Sequence, residues 1–248
     1  MSEWYRTAFG AEYLSLYAHR DEAEAKQAVE LILHTTSVTA GARVLDAPCG
    51  SGRHTRQFAD RGMRATGLDL SDDLLRAAIQ HTCQAAPCPR YVHADLRSLP
   101  FAAAQFDLVV NLFSSFGYFE TDEENSAVMN ELARVCAIDG HVVIDFMNAP
   151  RVHSALEPQT ERRSPGGCRV LEKRWISPSP ERVNKEIIAT SAAGETKIFS
   201  ESVRLFNRTE LEQIMSAADL ELVKCFGDYS GGEWSSTSSR LILVGRKR

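Results

Sequence analysis

The 248-residue sequence has no Cys-x-x-Cys pair, no apolar run of membrane-span length, no internal repeat and no excess of basic charge. Each absence excludes something. Six cysteines (Cys49, Cys83, Cys88, Cys136, Cys168, Cys225) lie scattered without metal-ligand spacing. They argue against zinc and against a disulfide framework, and read as small buried apolar side chains in a reducing compartment. A membrane helix needs about 18 consecutive apolar residues, which no window supplies. The opening MSEWYRTAFG carries an early acid and lacks the apolar core of a signal peptide, so a soluble, cytoplasmic chain without a membrane partner is expected. Lys and Arg number 28 against 33 Asp and Glu, a formal charge of −5 with a pI near 5.8. A broad basic face for nucleic-acid phosphates is therefore not expected. With 44% hydrophobic and 25% charged residues the composition is that of an ordinary globular chain, long enough to fold around its own core.

What is present is an alternation of strand and helix signals. Residues 1–40 read as a helical cover: aromatics recur at helical spacing in WYRTAFGAEYLSLY, and Ala25, Val29, Ile32 and Leu33 share one face of DEAEAKQAVELILHTT. ARVLDAPCG reads as a buried strand entering a glycine turn, SGRHTRQFADRG as a helix closed by Gly62, and MRATGLDL as a second strand. Ser71 is placed to cap the helix DDLLRAAIQ, YVHADL reads as a third strand, and the nearly all-apolar FDLVVNLF as a fourth, buried on both faces. Thr121 and Glu124 form a capping box, and Asp139-Gly140 turns into a fifth strand, HVVIDFM. Right-handed crossovers between parallel strands make this an α/β chain with a doubly wound, mostly parallel, seven-stranded Rossmann-like sheet.

After Pro150 the pattern changes. Residues 151–167 read as a polar loop, and CRVLEKRWI, RVNKEIIAT and KIFSESVRLF as an antiparallel meander. Thr209 and Glu212 suit the start of a last core helix, before the strands ELVKCFG and SRLILVG. The expected organisation is a cover (1–40), a core (41–150 and 207–248) and a β insertion (151–206) that is a candidate acceptor lid.

Ligands of open parallel sheets bind beyond the carboxyl ends of the strands, where the winding reverses. Gly50-Ser51-Gly52 follows the first strand and opens a helix, whose terminal N–H groups are free for a ligand. Asp69 ends the second strand 19 residues after Gly50, the spacing at which an acid meets ribose hydroxyls. Together these indicate nucleoside binding. Thr55 stands where the dinucleotide fingerprint needs its third glycine, and Asp46 precedes the turn, where an anion suits a ligand with an ammonium group better than one with phosphates. An NAD-dependent enzyme is thereby disfavoured.

At these residues the sequence resembles the class I S-adenosylmethionine-dependent methyltransferases: VLDAPCGSGRHT is similar to their first motif, GLDLS to the second, HADLRSLPF to the third and FDLVVNLFSSFGYF to the fourth. The resemblance covers most of residues 40–150. It implies S-adenosyl-L-methionine as cofactor, with Asp46 toward the methionine ammonium, Gly50 and Gly52 lining the cofactor, Asp69 on the ribose, and Asp95 with Leu96 at the adenine. Leu70 and Asn111 are further cofactor candidates. Pro48 and the IDGH at 138–141 depart from the usual family pattern. SSFGYF, the insertion and LFNRTELEQIMSAADLELV are similar to the amino-sugar N,N-dimethyltransferases, and Tyr17 in LSLYAHR falls on an active-site tyrosine of those enzymes. The expected reaction is methyl transfer to an amine or hydroxyl of a small molecule, with Tyr17, Tyr118 and His153 as catalytic candidates, His19 as a weaker one, and no metal. Phe113, Phe116 and Phe119 are candidates to frame the pocket. The alternatives are an RNA-base methyltransferase on the same fold and a nucleoside-binding module without turnover.

Overall fold

The computed structural model describes residues 3–10, 22–82 and 87–248. Tyr13, Tyr17, His19 and Cys83 lie outside the described residues. Alternating side chains along single strands account for the layers. In β1 (Arg43–Asp46) Leu45 joins one apolar cluster and Val44 another. In β4 (Phe106–Asn111) Val109 faces the first cluster, and Leu108 and Val110 face the second. The same division separates Val142 and Ile144 from Val143 in β5 (Cys136–Met147), and Leu241 and Leu243 from Ile242 and Val244 in β11 (Arg240–Lys247). Strands apolar on both faces must be covered on both. The helices Asp122–Val135 and Arg208–Ala217 cover one face through Met129, Leu132, Leu211 and Met215. Glu22–Thr36 and Arg53–Asp60 cover the other through Val29, Ile32 and Phe58.

With β2 (Arg64–Asp69), β3 (Arg90–His93) and β10 (Leu220–Phe226), the sheet runs β10-β11-β5-β4-β1-β2-β3, and β11 is antiparallel to both its neighbours. The winding reverses between β1 and β4, which opens a crevice at their carboxyl ends. As read from the sequence, Ser71 accepts from the Leu74 N–H, and Thr121 with Glu124 completes a capping box.

The segment after β5 departs from the loop expected over 151–167. It forms a helix at Ala149–Ala155, with Pro150 in its first turn, and then β6 (Gln159–Arg163). Proline is tolerated there because its missing N–H has no helical partner to lose. β6 is polar throughout, so hydrophobic patterning does not reveal it; it is held by pairing with β7 (Arg169–Ser177), including Glu161 on Arg169. With β8 (Arg182–Thr190) and β9 (Thr196–Arg204) these strands form a separate antiparallel sheet, order β6-β7-β8-β9, around Val170 and Ile187. Arg182, nearly buried, joins this sheet to the loop after β4 by donating to the Phe119 carbonyl at 3.0 Å and to the Ser202 carbonyl at 2.7 Å. Two further expectations are corrected. The strand β5 extends back to Cys136 through Asp139 at φ 62°. His93, which a strand of a doubly wound sheet is expected to bury, is exposed because β3 is the sheet edge.

The last core helix is capped by Asn207, not Thr209: Asn207 accepts from the Glu210 N–H at 3.0 Å, and Glu210 accepts from the Asn207 N–H at 2.7 Å. The box begins two residues earlier than the spacing of Thr209 and Glu212 suggested. Loss of a cap side chain costs about 1 kcal/mol, so Asn207→Ala should lower the thermal midpoint measurably, whereas Thr209→Ala should leave it nearly unchanged in a melting experiment.

Candidate active site

A cavity of about 680 Å³ opens at the crevice. Its floor is the turn after β1, where Gly50 has φ 54° and a side chain there would project into open space. Asp69, at the end of β2, is 7% exposed and accepts the Gly50 N–H at 2.8 Å and the Ser71 N–H at 2.9 Å. One carboxylate thus ties the first turn to the second. A carboxylate offers about four lone-pair directions, so two acceptor positions remain for hydroxyls of a ligand. Burial pushes the Asp69 carboxyl up, and the backbone donors oppose that shift. Leu70, Asp95 and Leu96 continue the wall. Burial raises the Asp95 carboxyl, but hydrogen bonds from Arg97 outweigh it and hold the group below its ordinary value.

Three expected cofactor residues lie behind this wall. Gly52 does not line the cavity; a side chain there would meet the Tyr91 hydroxyl at 2.6 Å, so its smallness serves packing of the helix Arg53–Asp60 against β3. Asp46 is 1% exposed, accepts from the Thr55 hydroxyl at 2.6 Å through Oδ2, and has no partner at Oδ1. Asn111 donates to the Ala47 carbonyl at 2.9 Å and is likewise unpartnered at Oδ1. Two buried acceptors left open beneath one turn are costly unless something donates to them. Burial pushes Asp46 up to about 7, with the Asp69 charge adding to the rise and the Thr55 hydrogen bond opposing it.

The other side of the cavity is built by segments that sequence reasoning joined only in part. Phe113 and Ser114, at φ 61° and 59°, follow β4, and both are held by Asp145 of β5: Phe113 N–H to Oδ2 at 2.8 Å and Ser114 N–H to the Asp145 carbonyl at 2.9 Å. Asp145 is fully buried and receives Arg240 on both oxygens at 2.7 Å and the Tyr229 hydroxyl at 2.6 Å. Burial raises the Tyr229 phenol, and the Asp145 charge adds to it. Arg240 reaches the cavity wall, and nothing local in SRLILVG marks it as a site residue. Tyr118 lines the cavity, stacked on Phe9 at 5.7 Å and tilted against Trp4 at 5.0 Å. Phe113 and Phe119 line it as well, whereas Phe116 is a core residue against Phe206. The insertion contributes Arg174, Val183, Lys185, Glu201 and Val203.

His153 lines neither this cavity nor a smaller one beside it; its Nε2 pairs with Glu181 at 3.1 Å on the surface. The helix Ala149–Ala155 turns it outward. His54, in the helix after the glycine turn, lines the cavity, but burial together with Arg53, Arg240 and Arg56 pushes its imidazole down to about 3, so it is neutral at ordinary pH. Of the cysteines, Cys88 is exposed and unpaired, contrary to a buried reading, because it sits in the loop before the edge strand. Among the described residues no cluster of His, Cys, Asp and Glu is placed to hold a metal, and no helix is long and apolar enough to cross a membrane.

Residues 44–140 match the methyltransferase domain family. That match spans about two fifths of the chain, and with the sheet order and the turn geometry it marks an S-adenosylmethionine-dependent methyltransferase. Its relatives narrow the comparison. It is 24% identical to YqeM of Bacillus subtilis over 208 residues, 83% of this chain and 84% of that one. It is 27% identical to the dTDP-3-amino-3,4,6-trideoxy-alpha-D-glucopyranose N,N-dimethyltransferase of Streptomyces venezuelae over 202 residues, 79% of this chain and 69% of that one. The CcbJ methyltransferase of Streptomyces caelestis superposes with a TM-score of 0.84 at 19% identity, covering 98% of both chains. The site fits the cofactor on its own terms: a hydroxyl-ready buried carboxylate, an open glycine turn, and unpartnered acceptors under that turn.

Two outcomes follow. A ligand ammonium near Asp46 favours its ionised form, so cofactor binding near pH 7 should release a proton. Calorimetry in buffers of different ionisation enthalpy should detect the release, and Asp46→Asn should abolish it. In the absence of ligand, a carboxyl raised above its ordinary value stabilises the fold below that value and loses this contribution as pH rises through about 7. Charge-assisted hydrogen bonds contribute about 1.5–3 kcal/mol, so Asp69→Ala should weaken S-adenosylhomocysteine binding by roughly ten- to a hundredfold in a calorimetric titration.

Proposed function

We propose that the chain transfers a methyl group to an amine or hydroxyl of a small-molecule acceptor, with an amino sugar as the leading class. One observation carries this reading: the cavity continues past the Asp69 wall into a chamber roofed by Val183, Lys185, Glu201 and Val203 of the insertion and flanked by Tyr118. Such a chamber is sized for a metabolite, and the acidic balance of the chain disfavours a phosphate backbone. The likeness to an amino-sugar N,N-dimethyltransferase supports it.

S-adenosylmethionine supplies a methyl group already activated on a positively charged sulfur. The residues of the chain then have to bind and align. Asp69 holds the ribose hydroxyls, Leu70, Asp95 and Leu96 flank the adenine, Gly50 admits the methionine portion, and Asp46 and Asn111 meet its ammonium through the turn. In-line displacement gains mainly from alignment, so the acceptor wall needs to orient more than to ionise. Tyr118 and Tyr17 orient the acceptor by hydrogen bonding, and the insertion closes over it and excludes water. His153 takes no part, since it lies off the cavity.

Labelled S-adenosylmethionine offered with a metabolite extract and with total RNA tests this. Label should enter the metabolite fraction; label confined to RNA would overturn the reading. Removing one positioned hydrogen-bonding group costs about 10²–10³ in turnover where it acts on transition-state charge. Tyr17→Phe should therefore lower kcat by at least an order of magnitude while cofactor affinity stays nearly constant. Full activity in that variant would remove Tyr17 from the site.

A further inference from the structure

Beside the main cavity lies a second one of about 340 Å³, between the helix Ala149–Ala155, β7 and the start of β11. The two share Met147, Val152, Leu156, Arg174 and Arg240, so the smaller is an extension of the larger, and Asp69 does not line it. Three guanidinium groups line it, those of Arg151, Arg174 and Arg240, against one carboxylate, Glu157.

These arginines come from three separate parts of the chain, and their local pairing leaves donors over. Arg240 spends Nε and Nη2 on Asp145, with Ser114 Oγ a further partner of Nη2 at 3.3 Å; among the described residues Nη1 has no hydrogen-bond partner. Its side chain is 18% exposed, so an uncommitted N–H there faces the cavity rather than bulk water. Arg174 donates to Thr160 Oγ1 and pairs with Glu172, but Glu172 also serves Arg162 at 3.4 Å and Lys185 at 3.6 Å. Glu172 is thus shared between several cations, of which Lys185 also has Glu201 at 3.9 Å. Arg151 has the Thr237 carbonyl as its hydrogen-bond partner, at 3.3 Å, and among the described residues no carboxylate within ion-pair reach. Guanidinium forks with unspent N–H groups around a partly closed space match the lone pairs of a planar or tetrahedral oxyanion.

We propose that this extension is an oxyanion subsite, and that the methyl acceptor carries a carboxylate or phosphate group that Arg151, Arg174 and Arg240 bind while its amine or hydroxyl lies in the main chamber. The proposal rests on the small-molecule reading above and narrows its substrate class. The subsite anchors the acceptor at the end remote from the reacting atom, so its binding energy serves alignment.

The test is an equilibrium titration of the protein saturated with S-adenosylhomocysteine, using inorganic phosphate in one arm and succinate in the other, at constant ionic strength set with chloride. Saturable binding of at least one anion is expected, and the preferred arm distinguishes a phosphate group from a carboxylate. The double variant Arg151→Gln, Arg174→Gln should weaken that binding about tenfold or more, as loss of charge-assisted bonds requires. Its S-adenosylhomocysteine affinity should stay within about twofold, since neither residue lies on the Asp69 wall. Absence of saturable anion binding, or equal affinity in the double variant, would overturn the subsite. The titration uses no acceptor, so it stands or falls separately from the labelling experiment.

Discussion

The side of the cavity built after β4 and β5 depends on one buried carboxylate. Asp145, at the carboxyl end of β5, is fully enclosed and must be matched; Arg240, the Tyr229 hydroxyl and the Phe113 N–H match it together. Removing one partner of such a set leaves a buried charge uncompensated, which is why the pieces are locked to each other. The lock fixes Phe113 and Ser114 in left-handed conformations that neither residue favours alone. It also carries Arg240 from the last strand to the cavity wall. Geometry at the centre of the sheet thereby decides the shape of the chamber.

A second carboxylate organises the opposite half by other means. Asp69 gathers backbone N–H groups from two turns rather than side-chain cations, so it stays available to neutral hydroxyls. The contrast is physical: Asp145 is saturated by charge and serves structure, and Asp69 is held by dipoles and keeps acceptor capacity. Between them Arg182 ties the insertion to the loop bearing Tyr118 through the Phe119 carbonyl.

Much of the core was legible because its signals are local and periodic. Strands apolar on both faces, Ser71 and Thr121 as caps, and the glycine turn followed by Asp69 each depend on residues near in sequence. Where the reading failed, the deciding contacts were distant. β6 exists because β7 pairs with it, and His153 faces outward, where it meets Glu181 from 28 residues further along the chain.

The amino-acid sequence by itself determined the doubly wound class, the cofactor turn and the acid that ends β2, since spacing along one or two strands suffices to place them. Only the tertiary structure decided that Gly52 serves packing, that Asp46 and Asn111 lie behind the turn, and that Arg151, Arg174 and Arg240 converge. Convergence of residues scores of positions apart follows from sheet order and burial, which no short window of sequence records.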